Sequence, residues 1–153
     1  MNKEADGLST VEHIEALADQ LSACADELHK RIMHEVQERR GQQPNATRQA
    51  ALRALFDDEM ILRQRANGLY ADAAGLIVGS LGKSQRHVAE LTTAAAEKIR
   101  KIAVLKDVAG LVAGVLSLAG AAAAGQAGPI ILAVDKIKEQ LAALEAHQPK
   151  KTA

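Results

Sequence analysis

Six side chains of this sequence have the types that metal or nucleophilic chemistry requires: His13, His29, His34, His87 and His147, and the lone cysteine, Cys24. Di-iron helical bundles draw a Glu-x-x-His pair from each of two helices. Asp26-x-x-His29 is the nearest approach here, and no second helix supplies its match. His29 and His34 are separated by five residues, which does not stack them on one helix face as the H-E-x-x-H pattern does. No G-x-S-x-G is present, and the glycine-rich stretches are read as lacking the lysine and Ser/Thr of a phosphate loop. Cys24 falls on an apolar helical position and reads as a small buried hydrophobe. Asp57-Asp58-Glu59 reads as a solvated acidic face paired with arginines such as Arg53 and Arg63, and Glu59, which interrupts an apolar seam, reads as an edge position or a structural ion pair. Arg39-Arg40 reads as surface. The expectation is a protein that is not an enzyme, with no cofactor, no metal and no small-molecule substrate.

The elements that carry these residues are helical. Hydrophobic residues make up 48% of the chain but aromatic ones only 1%, and Ala, Leu, Glu, Gln, Lys and Arg dominate, a composition that favours helix over strand. Nineteen basic residues balance 19 acidic ones, so there is no long-range field to draw in nucleic acid. One cysteine cannot form an intramolecular disulfide. The opening MNKEADGLSTVEH lacks the apolar core of a cleavable signal peptide. A chain cytoplasmic as synthesised is expected. Membrane association or export by a signal-independent route would leave no mark in these residues.

Periodicity predicts an all-α, up-down bundle of three long helices plus a shorter C-terminal fourth helix. Residues 1–8 form a flexible lead, 9–148 one domain, and 149–153 a polar tail. Ser9-x-x-Glu12 predicts a capping box, opening a helix over 9–41 whose seam is Ile14, Leu17, Leu21, Cys24 or Ala25, Leu28, Ile32 and Val36, with Arg31 and other charges on its solvated back. Pro44 marks a loop, and Asn45 or Thr47 caps a helix over 46–82, where Phe56, Met60 and Ile77 widen the apolar face. Gly82-Lys83-Ser84 predicts a turn. A third helix then runs unbroken over 84–125, and a fourth restarts at Pro129 and reaches 147.

The stretch 108–134 contains no charged residue, and as straight helix it would extend roughly 40 Å, beyond the ~30 Å of a bilayer's hydrocarbon core. Gly125 and Gly128-Pro129 predict a stop and a restart, hence an apolar Ala/Gly-rich helical hairpin. Ala109, Ala113, Ser117, Ala121 and Gly125 form one row of small residues, and Gly110 and Gly114 begin another, the spacing that lets two helix backbones approach closely. Two roles follow. The hairpin inserts conditionally into a membrane, or it is buried core in a helical adaptor or assembly protein that forms a homo-oligomer or binds a partner helix. Contact with membrane or partner is assigned to Gly110, Val112, Gly114, Leu116, Leu118, Gly125, Gly128, Pro129 and Ile131. Architecturally the pattern resembles helical pore-forming toxins and secretion-system translocators, in which long amphipathic helices carry one hydrophobic hairpin; that resemblance implies effector-like membrane action.

Overall fold

A computed structural model describes residues 6–38, 41–43 and 45–147, the side chain of His147 excepted. Residues 1–5 of the expected lead, Arg39-Arg40, Pro44 and the tail from 148 lie outside the described residues. The chain is all-α. Five helices pack together: α1 (Val11–Glu38), α2 (Ala46–Asp72), α3 (Gln85–Lys101), α4 (Leu105–Ala124) and α5 (Ala127–His147), with a 3-10 turn at Ala73–Leu76. α1 lies between α2 and α3, while α4 packs on α5 and α2 and touches α3 only lightly.

The α1 seam is buried as its spacing predicts, with Ile14, Leu17, Leu21, Cys24 and Leu28 wholly covered, although Val36 at its end is exposed. Across α2, Leu55, Leu62, Ala66 and Leu69 join this core, whereas Phe56, Met60 and Ile77 face solvent. Two caps form as expected: Asn45 Oδ1 accepts from Arg48 N–H at 3.1 Å, and Ser84 Oγ from His87 N–H at 3.0 Å. A third does not. The Ser9 hydroxyl donates to Asp6 O (2.7 Å), Thr10 caps α1 by accepting from His13 N–H (3.1 Å), and His13 Nδ1 reaches back to accept from Ser9 N–H (3.2 Å). Histidine, not Glu12, therefore fills the third position of the cap.

Three boundaries depart from the periodicity. The expected third helix is two helices, because Ile102 is extended (φ −65°, ψ 129°) and the chain restarts at Leu105. The break turns the seam, so that Ala109, in line with Ala95 and Ile102 by sequence, is exposed while Val108 and Leu111 are buried. The expected helix over 46–82 ends at Asp72. Beyond the 3-10 turn, Ile77 is extended, Val78 and Leu81 are buried, and the backbone of this crossing pairs with the residues before α1. Gly7 N–H donates to Lys83 O at 2.6 Å and Val78 N–H to Leu8 O at 2.7 Å. Asp6–Leu8 is thus docked rather than free, and Leu8 is fully buried. Gly7 is needed for this approach, since a Cβ there would sit 3.1 Å from Lys83 O and 3.2 Å from Leu81 Cδ2. Finally, α5 begins at Ala127, two residues before Pro129, and with 21 residues it is no shorter than α3 or α4.

Arg31 is the largest correction on α1. It was expected on the solvated back, yet its side chain is only 6% exposed. Helix α3 ends with carbonyls that have no intrahelical partner, and Arg31 supplies the donors. Its Nη1 reaches Ile99 O (3.4 Å), Arg100 O (3.3 Å) and Ile102 O, and its Nη2 reaches Ala103 O (3.3 Å). A cation at a helix C-terminus also complements the helix dipole. Burial lowers the guanidinium's pKa from the usual arginine value. Glu35 balances the charge, accepting from Arg31 Nε at 2.9 Å and pairing on its other oxygen with Arg48 of α2.

Candidate functional site

Cys24, Asp26, His29 and Glu59 are engaged in holding the fold, whereas His34 is exposed. Burial pushes the Cys24 thiol up to about 12, with Glu27 adding to the shift, and its Sγ lies 3.5 Å from Thr92 O. Asp26 and His29 point to α2: Arg63 Nη1 donates to Asp26 Oδ1 at 2.8 Å, and His29 Nδ1 lies 2.9 Å from Glu59 Oε1. Arg63 Nε also donates to Glu59 Oε2 at 2.9 Å, so Glu59, only 6% exposed, is the buried centre of a structural cluster. These bonds to Glu59 and Asp26 raise the pKa of Arg63. Burial and then Asp57 raise that of Asp58.

Gly82-Lys83-Ser84 at the start of α3 supplies the glycine, lysine and serine that close a phosphate loop, which corrects the expectation that the glycine-rich stretches lack them. Ile77 stands where that loop needs its first glycine. Lys83 Nζ instead pairs with Asp135 at 2.9 Å, and the Ser84 hydroxyl is spent on the α3 cap.

The residues assigned to membrane or partner contact fall into three groups on α4 and α5. Val112, Leu118 and Gly114 are buried, Val112 completely. Gly110, Leu116, Gly125 and Ile131 are half-buried, and Gly128 and Pro129 are exposed at the joint between the helices. Gly125 adopts the left-handed conformation (φ +66°) that ends α4, and its N–H donates to Ala122 O at 3.0 Å.

Of the two small-residue rows, only the glycine one makes a close approach. Gln140 of α5 lies across it: Nε2 donates to Gly110 O at 2.8 Å, and Oε1 rests where a Cβ of residue 114 would be, with Ile137 Cγ1 3.3 Å from the same point. On the other row Ala109, Ala113 and Ser117 are open to solvent. α2 holds α4 from a third side, where Arg65 Nη1 donates to Leu116 O at 2.9 Å. The Arg65 guanidinium lies against Gly120, where a Cβ would be 3.2 Å from Nη1.

α4 is long and apolar enough to cross a membrane, and half of its most apolar 18-residue window is buried in the folded chain. No family model, curated protein or solved structure matches this chain. α4 has a buried face of Val, Leu and Ala and, from Val108 to Ala124, an opposite face of small residues lacking charge, whereas α5 exposes Lys136, Lys138, Glu139 and Glu145.

Proposed function

We propose that this is a non-enzymatic helical protein whose apolar hairpin, about 108–134 in α4 and the start of α5, inserts conditionally into a membrane. The observation that supports this most is the half coverage of α4: a helix with no charge from Val108 to its end at Ala124 shields only part of its surface with its own chain. Leu and Val each favour mid-membrane positions by roughly 0.3–0.6 kcal/mol, a modest sum over this helix, which suits conditional rather than permanent insertion. Within the folded chain the apolar side of α4 is sheltered by α2 and α5. Release would part α4 from α2 at the Arg65–Leu116 bond while the Gln140–Gly110 bond keeps α4 and α5 together. Co-flotation with vesicles tests the proposal. The protein is expected to float and to resist alkaline-carbonate extraction, and a wild-type chain that stays at the bottom of the gradient removes it.

A second reading is favoured by a separate set of residues. Met33 and Val36 of α1 and Phe56 and Met60 of α2 are 41–59% exposed, a supply of apolar side chains that would suit a partner helix. On this reading α4 is core, and the protein is an adaptor or assembly factor. Concentration-dependent association in water, lost on Phe56→Asp with helix content intact, would support it.

A further inference from the structure

Between Asp107 and Asp135 the chain carries no acid, and the open groove between α4 and α5 continues that bias in space. Its walls are Leu116, Ser117, Gly120 and Ala124 on α4 and Pro129 and Leu132 on α5. Two charged side chains line it, Arg65 and Lys136, and both are cations. Arg65 is anchored by its bond to Leu116 O, and Lys136 is exposed. The neighbouring acid, Asp135, is drawn off to Lys83. Leu132 is 72% exposed, the most open of the large apolar side chains among the described residues. The small residues beneath it leave a low surface from which it stands out.

We propose that this groove is the landing face for an anionic bilayer. Leu132 and Pro129 enter the headgroup boundary while Arg65 and Lys136 pair with lipid phosphates, before α4 itself moves. This rests on the membrane reading above and adds the lipid class and the face that meets it. The charge pattern favours a phospholipid surface because it couples one protruding apolar side chain to flanking cations with no acid in the groove. A single weak anchor does not hold a protein on a membrane, so an apolar and an electrostatic signal must act together.

The test compares flotation on phosphatidylcholine vesicles with and without phosphatidylglycerol, followed by carbonate extraction of the floated protein. Wild type is expected to float with the anionic vesicles only, and less at high salt. Lys136→Glu is expected to weaken partitioning about fivefold or more, the effect of removing one basic residue at such a surface. Leu132→Asp should abolish it. Both positions are exposed, and unchanged circular dichroism checks that the variants fold.

Equal binding to neutral vesicles, or full binding by Lys136→Glu, overturns the landing face. If that protein is nonetheless carbonate-resistant, insertion stands without it. Anionic binding that carbonate strips, with both variants impaired, upholds the landing face and removes insertion. No flotation, together with a dimer in water that Leu132→Asp dissociates, gives the groove to a second copy of the chain and overturns the proposal.

Discussion

The guanidinium of Arg31 donates to the carbonyl of Ile102, 71 residues further along the chain. The joint between α3 and α4 is therefore made by a side chain from α1, at a place where the sequence has neither glycine nor proline. Arg31 also takes the carbonyls of Ile99, Arg100 and Ala103, while Val104 O accepts from the N–H groups of Asp107 and Val108 in the first turn of α4.

Replacing Arg31 by methionine leaves those carbonyls, two of them buried, without its donors and Glu35 with Arg48 alone. A loss of about 3 kcal/mol is expected in urea denaturation, with Arg31→Lys recovering only part because a point charge cannot serve the carbonyls as a planar fork does. Hydrogen exchange should quicken first around residues 102–108. A methionine variant within about 1 kcal/mol of wild type would show that the break does not depend on Arg31.

The joint also shows what the sequence could and could not reveal. Helix as the material of the chain, the caps at Asn45 and Ser84, the stop at Gly125 and the buried α1 seam are local, and they were legible from spacing. The division of the third helix, the docking of Leu8 and the burial of Arg31 are set by partners some 70 residues away, and no window of sequence contains both halves of such a contact. Within the candidate site, glycine at four-residue spacing pointed to a close helix approach, but which row made it depended on where Gln140 falls. The alanine row, equally regular, faces water at Ala109, Ala113 and Ser117 and turns inward only at Ala121.

Gly110 and Gly114 should respond differently to alanine, the first with a gain in stability and the second with little net change. At Gly110 nothing lies nearer to a new Cβ than Gln140 Nε2 at 4.0 Å, so the gain in helix propensity, about 1 kcal/mol, is expected in full. At Gly114 the Cβ displaces the Gln140 amide and presses on Ile137, which offsets that gain by a similar amount. Thermal melts of the two variants decide it. Equal stabilisation would mean that Gln140 gives way freely.

Alkaline pH should destabilise the fold through Cys24. Its folded pKa, up to about 12, exceeds the roughly 8.5 of a free thiol, so between those values the folded chain holds a proton that the unfolded chain releases. Stability is then fully present below about pH 8.5 and declines as pH rises toward 12, by at most about 1.4 kcal/mol per pH unit. Denaturation midpoints of wild type and Cys24→Ala, followed from neutral pH to about pH 10, should diverge in slope above pH 8.5. Parallel curves would show that the thiol ionises without unfolding.

Glu59→Leu is expected to change stability by less than about 1.5 kcal/mol in either direction. It fills a buried seam position with an apolar side chain, Arg63 keeps Asp26, and His29, about half exposed, turns to solvent. Arg63→Ala should cost more, because it strands the Glu59 carboxylate in the interior with only a histidine. Urea midpoints rank the two, and the reverse order would contradict a purely structural role for the cluster.

The backbone bonds from Gly7 to Lys83 and from Val78 to Leu8 close α1 and α2 into a single loop. Asp6–Leu8 and the crossing from Val78 to Ser84 therefore keep or lose their backbone partners together, although some 70 residues separate them. A substitution that undocks Leu8 exposes both at once, at the entrance to α1 and at the entrance to α3.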